Sequence, residues 1–181
     1  AYAPPGDEEE VRRILKKELE EYADEVKIDK LGNIFFYHHG EDRYPRIMIA
    51  AHMDEVAYII TNIDKNGFLH FHTLGGISSK IMPGQRILLK GEKGYVKGII
   101  GTKPPHVMTP EEQKKVIPME DLFIDIGAAN PEEVSEKGVE LGATGVFDVK
   151  FTELGDGYIM GKAFDDRAGC TALTEVFKAL K

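Results

Sequence analysis

The stretch RIMIAAHMDE, residues 46–55, joins an apolar run to a histidine and two acids. The run over 46–52 is almost continuously apolar, which is typical of a strand buried on both faces of an α/β sheet. Successive side chains of a strand point to opposite faces, so His52 and Asp54 would share one face at its end. We therefore predict a buried strand over 46–52 that presents an imidazole and a carboxylate at its C-terminal end.

Two interpretations of His52 and Asp54 are open. In the first, His52 binds a metal ion and Asp54 orients its ring, because a ligating imidazole usually gives its second N–H to a carboxylate or carbonyl. In the second, His52 is satisfied by local hydrogen bonds and Asp54 caps a helix. The His-x-Asp motif alone favours the second interpretation.

A second acidic cluster, Asp165-Asp166-Arg167, lies far downstream. It follows a predicted strand over 158–161 and opens a predicted helix over 165–180. Two acids at a helix start often serve only as an N-cap whose negative charge interacts favourably with the helix dipole. Alternatively, one carboxylate bridges two divalent cations and Arg167 holds the second carboxylate in place. The second interpretation suits the position, because ligands gather at the C-terminal ends of strands in open α/β sheets.

Along the rest of the chain, the predicted pattern changes from α/β to β-rich and then back to α/β. A helix is predicted from Asp7, as N-cap, to Ala23, and a hairpin follows over 26–37. From residue 58 onward, short β-like runs separated by Gly-rich turns predict a small β-barrel or sandwich. These runs cover residues 58–63, 68–73, 86–90, 96–100 and 122–126. A loop is predicted over 102–118, and a short helix capped by Asn130 with Pro131 at its first position.

Composition limits the possible classes of function. The net charge is −8 and no basic stripe is present, which argues against a nucleic-acid or anionic-membrane surface. Cys170 is the single cysteine, so no internal disulfide can form and a reducing compartment is expected. No apolar run is long enough for a bilayer span. We therefore expect a cytoplasmic protein, and the 30% of charged residues lean toward a thermophilic source.

The two site motifs occur together in a recognisable order. AHMDEVA at 51–57, followed by GKAFDDRAGC at 161–170, resembles the tetrahedral aminopeptidase (TET) family. These are dinuclear metallo-aminopeptidases of the glutamyl and leucyl type, some of which carry an older endoglucanase label. PPGDEE at 4–9, LGN at 31–33 and LFIDIGA at 122–128 resemble further parts of that family, so the resemblance runs along the whole chain.

The resemblance implies an architecture. It is a zinc-peptidase-like α/β sandwich, here partial, with an inserted β-barrel domain that mediates dimerisation. Residues 1–55 would form the first part of the catalytic α/β domain, 56–149 the inserted barrel, and 150–181 the continuation of the catalytic domain. Dimers of such proteins assemble into a hollow tetrahedral dodecamer, so a homo-oligomer is implied.

The resemblance also implies roles for three residues. His52 resembles the terminal ligand of one metal ion, Asp54 the acid that orients that histidine, and Asp165 the carboxylate that bridges two metal ions. Asp165 is preferred to Asp166 because relatives can carry Asn at the second place, and an amide bridges cations poorly. The implied cofactors are two divalent ions, Zn²⁺ or Co²⁺, and the implied substrate is a peptide with a free N-terminus.

The chain also departs from the family. Its 181 residues are about half of the expected length. The family's Glu-Glu pair, its later acid and its final His have no counterpart in the sequence. We therefore expect the N-terminal portion of a metal-dependent aminopeptidase. The alternative is a non-catalytic assembly module that keeps the β-domain and a relic metal site, whereas nothing supplies a glycosidase's carboxylate pair.

Overall fold

The computed structural model describes residues 1–180, except for the side chains of Pro105 and Glu112. Two compact units are present, one formed by Ala1–Glu55 with Ala163–Lys181 and the other by Val56–Lys162. The chain thus leaves the first unit after Glu55 and returns to it at Ala163. The sequence placed 150–162 with the α/β domain, whereas these residues group with the second unit, and the domain assignment itself stays a prediction.

The described residues form four α-helices and ten strands. The helices are α1 (Glu9–Leu19), α2 (Pro110–Gln113), α3 (Pro131–Glu136) and α4 (Phe164–Ala179). The strands are β1 (Glu25–Ile28), β2 (Ile34–Tyr37), β3 (Ala57–Ile63), β4 (Leu69–Leu74), β5 (Arg86–Gly91), β6 (Gly94–Gly101), β7 (Phe123–Asp125), β8 (Thr144–Phe147), β9 (Thr152–Gly155) and β10 (Tyr158–Met160). No helix within residues 1–180 combines the length and the apolar character needed to cross a membrane.

The first unit contains α1, the hairpin β1–β2 and α4. The predicted hairpin is confirmed, with Ile28 paired to Ile34, and Asp29 Oδ1 holds its turn by accepting from the backbone N–H groups of Leu31 and Asn33 at 2.9 Å. The predicted first helix is also present, but it is shorter than expected at both ends. The predicted cap at Asp7 is wrong, because the N-cap position falls on Glu8, which makes no side-chain capping bond.

The predicted strand over 46–52 is wrong for the structure as described. Residues 46–55 form no strand, and Ile47 and Met48 are 82% and 81% exposed. A strand exists only where a neighbouring strand pairs with its backbone N–H and C=O groups. The described residues place no such neighbour beside this run, so its apolar pattern alone does not produce a strand.

The second unit is built around a closed antiparallel barrel of six strands. Their order is β3-β4-β7-β6-β5-β8, which confirms the predicted β-barrel inserted into an α/β chain. Tyr58 lies in the barrel core, where its ring packs edge-on against Phe71 and Phe147 at 5.2 and 5.3 Å. Closure pairs both edges of every barrel strand, which removes the open edges that promote aggregation.

Strand β8 closes the barrel, and the sequence did not predict it. It pairs with both β3 and β5, and Gly145 lies at its centre. Gly145 weakens the strand pattern in the sequence, but a side chain there would collide with Leu89 and Ile87 of β5. The strand was missed because glycine is uncommon inside strands, while close packing against β5 favours it at this position.

Two further expectations can be compared with the second unit. The predicted loop over 102–118 contains the short helix α2 and a 3₁₀ turn at Pro105–Val107, so it is more ordered than expected. The predicted cap of α3 is confirmed, because Asn130 Oδ1 accepts from the Glu133 N–H at 2.9 Å and Pro131 is the first helical residue. The predicted strand near 158–161 is β10, which pairs with β9.

A glycine contact in this unit gives a stability prediction. Gly91 ends β5, and a Cβ there would lie 2.6 Å from the Gly138 carbonyl oxygen, a backbone atom that cannot turn aside. We expect Gly91→Ala to destabilise the protein by about 1–3 kcal/mol. The matched control is Gly76→Ala, where no atom lies within 4 Å, and it should change stability by no more than about 0.5 kcal/mol. Equal midpoints for the two variants in urea unfolding would contradict the close approach.

Candidate metal centre

The three residues predicted for the site come together in the first unit. The His52 ring lies between two carboxylates, with Nδ1 3.0 Å from Asp54 Oδ1 and Nε2 3.1 Å from Asp165 Oδ1. His52 and Asp165 are 113 residues apart in sequence. The fold therefore produces the juxtaposition that the two motifs suggested, while the roles of the three residues stay predictions.

The surroundings of His52 favour a positive charge between the two acids. Partial burial lowers the pKa of His52, but the hydrogen bond to Asp165 and the charge and hydrogen bond of Asp54 outweigh it, so the pKa is raised. Asp165 is almost fully exposed, with 96% of its side chain accessible. The cluster is therefore open to solutes, and its electrostatics suit a bound cation.

The donors fit part of a divalent-metal site. Ligands of one Zn²⁺ ion, each about 2.0–2.2 Å from the metal, lie roughly 3–3.5 Å from each other. The 3.1 Å between His52 Nε2 and Asp165 Oδ1 agrees with two ligands of one ion. Asp54, on the other ring nitrogen, is placed as the acid that fixes the tautomer of a ligating histidine. Within residues 1–180, however, no group of three or more His, Cys, Asp or Glu side chains could hold an ion.

The start of α4 separates the two acids of the second motif. The predicted helix over 165–180 is confirmed as α4, but Asp165 and Asp166, which are joined by a cis peptide bond, have non-helical backbone angles. Asp166 Oδ1 accepts from the Gly169 N–H at 3.1 Å and thus caps the regular part of the helix. Asp165 instead faces His52. The two neighbouring carboxylates therefore have different partners.

Arg167 does not hold the Asp166 carboxylate, which corrects the sequence-based expectation. Its Nη2 donates to Glu55 Oε1 at 2.9 Å, its Nε to the Met53 carbonyl at 3.3 Å, and its Nη1 to the Ala1 carbonyl at 3.0 Å. Asp166 is already engaged in the helix cap, so Glu55 is the acid that takes the guanidinium. Sequence reasoning missed Glu55, although its place directly after the His-x-Asp motif was a usable signal.

Cys170 is a second residue whose contact was missed. Its Sγ donates to the His52 carbonyl at 3.3 Å. Burial raises the pKa of the Cys170 thiol, and the charge of Asp166 adds to the effect. The thiol therefore keeps its proton and acts as a donor that holds the backbone of His52.

The remaining histidines stay outside the cluster in the described structure. His38 Nδ1 lies 3.5 Å from Asp24 Oδ2, beside the β1–β2 hairpin. His70 and His72 lie on barrel strand β4, and His106 lies in a 3₁₀ turn of the second unit.

Comparison with known proteins places this cluster in a family context. The profile of the M42 glutamyl aminopeptidase family matches residues 32–181. Lysyl aminopeptidase of Pyrococcus furiosus is 34% identical over 171 residues, which cover 94% of this chain and 49% of that protein. The chain thus spans about half the length of the curated relatives that it matches.

Solved structures show the same half-length match. A TET aminopeptidase from the marine sediment archaeon Thaumarchaeota archaeon is 47% identical, with a TM-score of 0.95 over 99% of this chain and 51% of that one. The TET1 peptidase of Pyrococcus horikoshii, which can assemble into a tetrahedron or a large octahedral shell, is 38% identical, with a TM-score of 0.86 over 99% of this chain and 53% of that one. These matches confirm the predicted fold class and the predicted resemblance. The chain belongs to the M42 glutamyl aminopeptidase family.

Proposed function

We propose that the protein acts as a metal-dependent aminopeptidase that removes N-terminal residues from peptides, and that this chain supplies one wall of its metal centre. The observation that carries the proposal is the His52 ring held between Asp54 and Asp165. Membership of an aminopeptidase family supports the choice of reaction, and the exposure of the cluster supports access by a peptide.

The proposal gives each residue a separate task. His52 Nε2 and Asp165 Oδ1 would hold the cations, with Asp165 bridging two of them. Asp54 accepts the Nδ1–H of His52, which keeps the Nε2 lone pair directed toward a cation. Bound Zn²⁺ or Co²⁺ would polarise the peptide carbonyl and lower the pKa of a water molecule.

The general base does not come from the acids around His52. Glu55 is the nearest glutamate in sequence, but it is buried and accepts from Arg167 and from the Ala3 N–H. Because the relatives are about twice as long as this chain, we assign the base and the remaining ligands to the part of the family fold that the chain does not span.

The proposal extends to assembly. We propose that the protein forms a homo-oligomer through the barrel unit, as a dimer and possibly up to a dodecamer. The resemblance of the whole chain to the Pyrococcus horikoshii TET1 peptidase, which can assemble into a tetrahedron or a large octahedral shell, supports this choice. Location in the cytoplasm is part of the same proposal and rests on the lone cysteine.

A second candidate function has one specific observation in its favour. Within residues 1–180, His52 and Asp165 gain no third side chain able to complete a metal site. A non-catalytic assembly module with a relic site would have this arrangement. The two candidates differ in whether the complete gene product binds metal and cleaves aminoacyl substrates.

Replacement of His52 tests the ligand role. In the complete gene product, we expect His52→Ala to abolish Co²⁺ binding measured by calorimetry, because it removes the only nitrogen ligand of the cluster. The matched control is His72→Ala, an exposed histidine on the barrel, which should leave binding unchanged. Equal Co²⁺ binding by both variants would contradict the assignment of His52.

Replacement of the adjacent acids tests which one serves the centre. We expect Asp165→Asn to lower kcat on chromogenic aminoacyl substrates by at least about 10²-fold, because an amide bridges two cations poorly and weakens charge stabilisation in the transition state. Asp166→Asn should stay close to wild type, since the Asn oxygen can still accept from the Gly169 N–H. The reverse order of the two effects would refute the choice of Asp165. Absence of turnover in the wild-type protein with Co²⁺ present would favour the assembly module.

A further inference from the structure

Three contacts fasten the segment 52–55 to the beginning of α4. Arg167 Nη2 donates to Glu55 Oε1 at 2.9 Å, Arg167 Nε donates to the Met53 carbonyl at 3.3 Å, and Cys170 Sγ donates to the His52 carbonyl at 3.3 Å. Glu55 directly follows Asp54, and Arg167 comes two residues after Asp165. The fastening therefore joins the two short segments that carry the cluster.

The pair at the centre of this fastening is shielded from water. The Glu55 side chain is 3% exposed and that of Arg167 is 20% exposed. Glu55 is also fixed on its other side, because its N–H donates to the Ala3 carbonyl at 2.9 Å and its Oε1 accepts from the Ala3 N–H at 3.3 Å. The guanidinium is a planar fork, so its position relative to Glu55 and to the Met53 carbonyl is set at the same time.

The cluster above this pair has little to hold it in place by itself. His52 and Asp165 are 54% and 96% exposed, and an exposed ion pair contributes only about 0–1 kcal/mol. Such a contact cannot keep residues from two distant parts of the chain at a fixed separation. The buried contacts of Arg167 with Glu55 and Met53 are better suited to fix that separation.

We propose that Glu55 and Arg167 are positioning residues whose buried ion pair sets the separation of His52 Nε2 and Asp165 Oδ1. The pair touches neither substrate nor metal and acts through the backbone of 52–55 and the start of α4. This inference rests on the proposed function, because the distance between His52 Nε2 and Asp165 Oδ1 matters only if they bind metal. The positions of the two residues can nevertheless be tested without any metal.

The first experiment measures positioning in the metal-free protein. The complete gene product is labelled with ¹⁵N-histidine, and His52→Gln identifies the two ring resonances of His52. At a pH where His52 carries both ring protons in all variants, we expect Glu55→Gln to move the Nε2 resonance toward that of a ring bonded only to water, while Nδ1 keeps its bond to Asp54, which lies on the same segment. The control is Glu18→Gln, which removes the negative charge from the exposed 3.1 Å pair between Glu18 and Lys178 of α4 and should move neither resonance. Unchanged Nε2 in a folded Glu55→Gln protein would overturn the proposal.

The second experiment measures the consequence for the centre, with Co²⁺ alone as the probe. Variants are compared by the dissociation constant and by the visible absorption of bound Co²⁺, both normalised to the folded fraction from circular dichroism. We expect Glu55→Gln and Arg167→Lys to raise the dissociation constant by about 10–100-fold and to alter the spectrum, as for other supporting contacts of metal ligands. Arg167→Lys keeps the positive charge but loses the planar set of N–H donors of the guanidinium. It therefore replaces Glu55→Gln in both experiments if that variant does not fold.

The outcomes separate this proposal from the proposed function. Wild-type protein that binds no Co²⁺ would refute the proposed function, while the histidine resonances would still decide the positioning role. The positioning role alone would be refuted if the wild-type protein binds Co²⁺ and the Glu55→Gln and Arg167→Lys variants keep the wild-type Nε2 resonance, dissociation constant and spectrum.

Discussion

The buried contact between Arg167 and Glu55 is the interaction on which the candidate centre depends. It connects the two chain segments that form the first unit, and its residues are close in sequence to Asp54 and Asp165 of the exposed cluster. A buried ion pair is costly to desolvate and is weak evidence for net stability. Its role here is geometric, because a planar guanidinium that donates to three acceptors restricts how the segments that it joins can be arranged.

The barrel unit is inserted in the chain between those two segments. Its strands form a closed sheet with its own buried core, which includes Tyr58, Leu69, Leu89 and Ile124. The entropic cost of closing a loop grows only slowly with its length, so a long insertion burdens the first unit little. An inserted unit with its own core can therefore separate His52 from Asp165 in sequence while the two side chains stay adjacent in space.

The sequence predicted those features whose cause is local. The hairpin follows from Asp29 and its turn, and the start of α3 follows from Asn130 and Pro131. The strands β3 to β7 follow from their alternation between turns. His52, Asp54 and Asp165 could be selected because two motifs occurred together, and the fold brings their side chains within hydrogen-bond distance.

Features that depend on distant partners could not be predicted. The apolar run over 46–52 has the composition of a strand but no neighbour to pair with in the described residues. Arg167 and Asp166 are adjacent in sequence, yet the helix cap takes Asp166 and leaves Arg167 for Glu55, which only the folded chain can show. Strand β8 was not predicted because Gly145, which packs closely against β5, is untypical of a strand.

We propose that His52 and Asp165 bind the same divalent cation. Anomalous diffraction from crystals of the complete gene product soaked in Zn²⁺ tests it most directly. We expect a zinc peak about 2.0–2.2 Å from both His52 Nε2 and Asp165 Oδ1, with Asp54 still hydrogen-bonded to Nδ1. A fully soaked crystal with no peak there, and with His52 still hydrogen-bonded to Asp165, would contradict it.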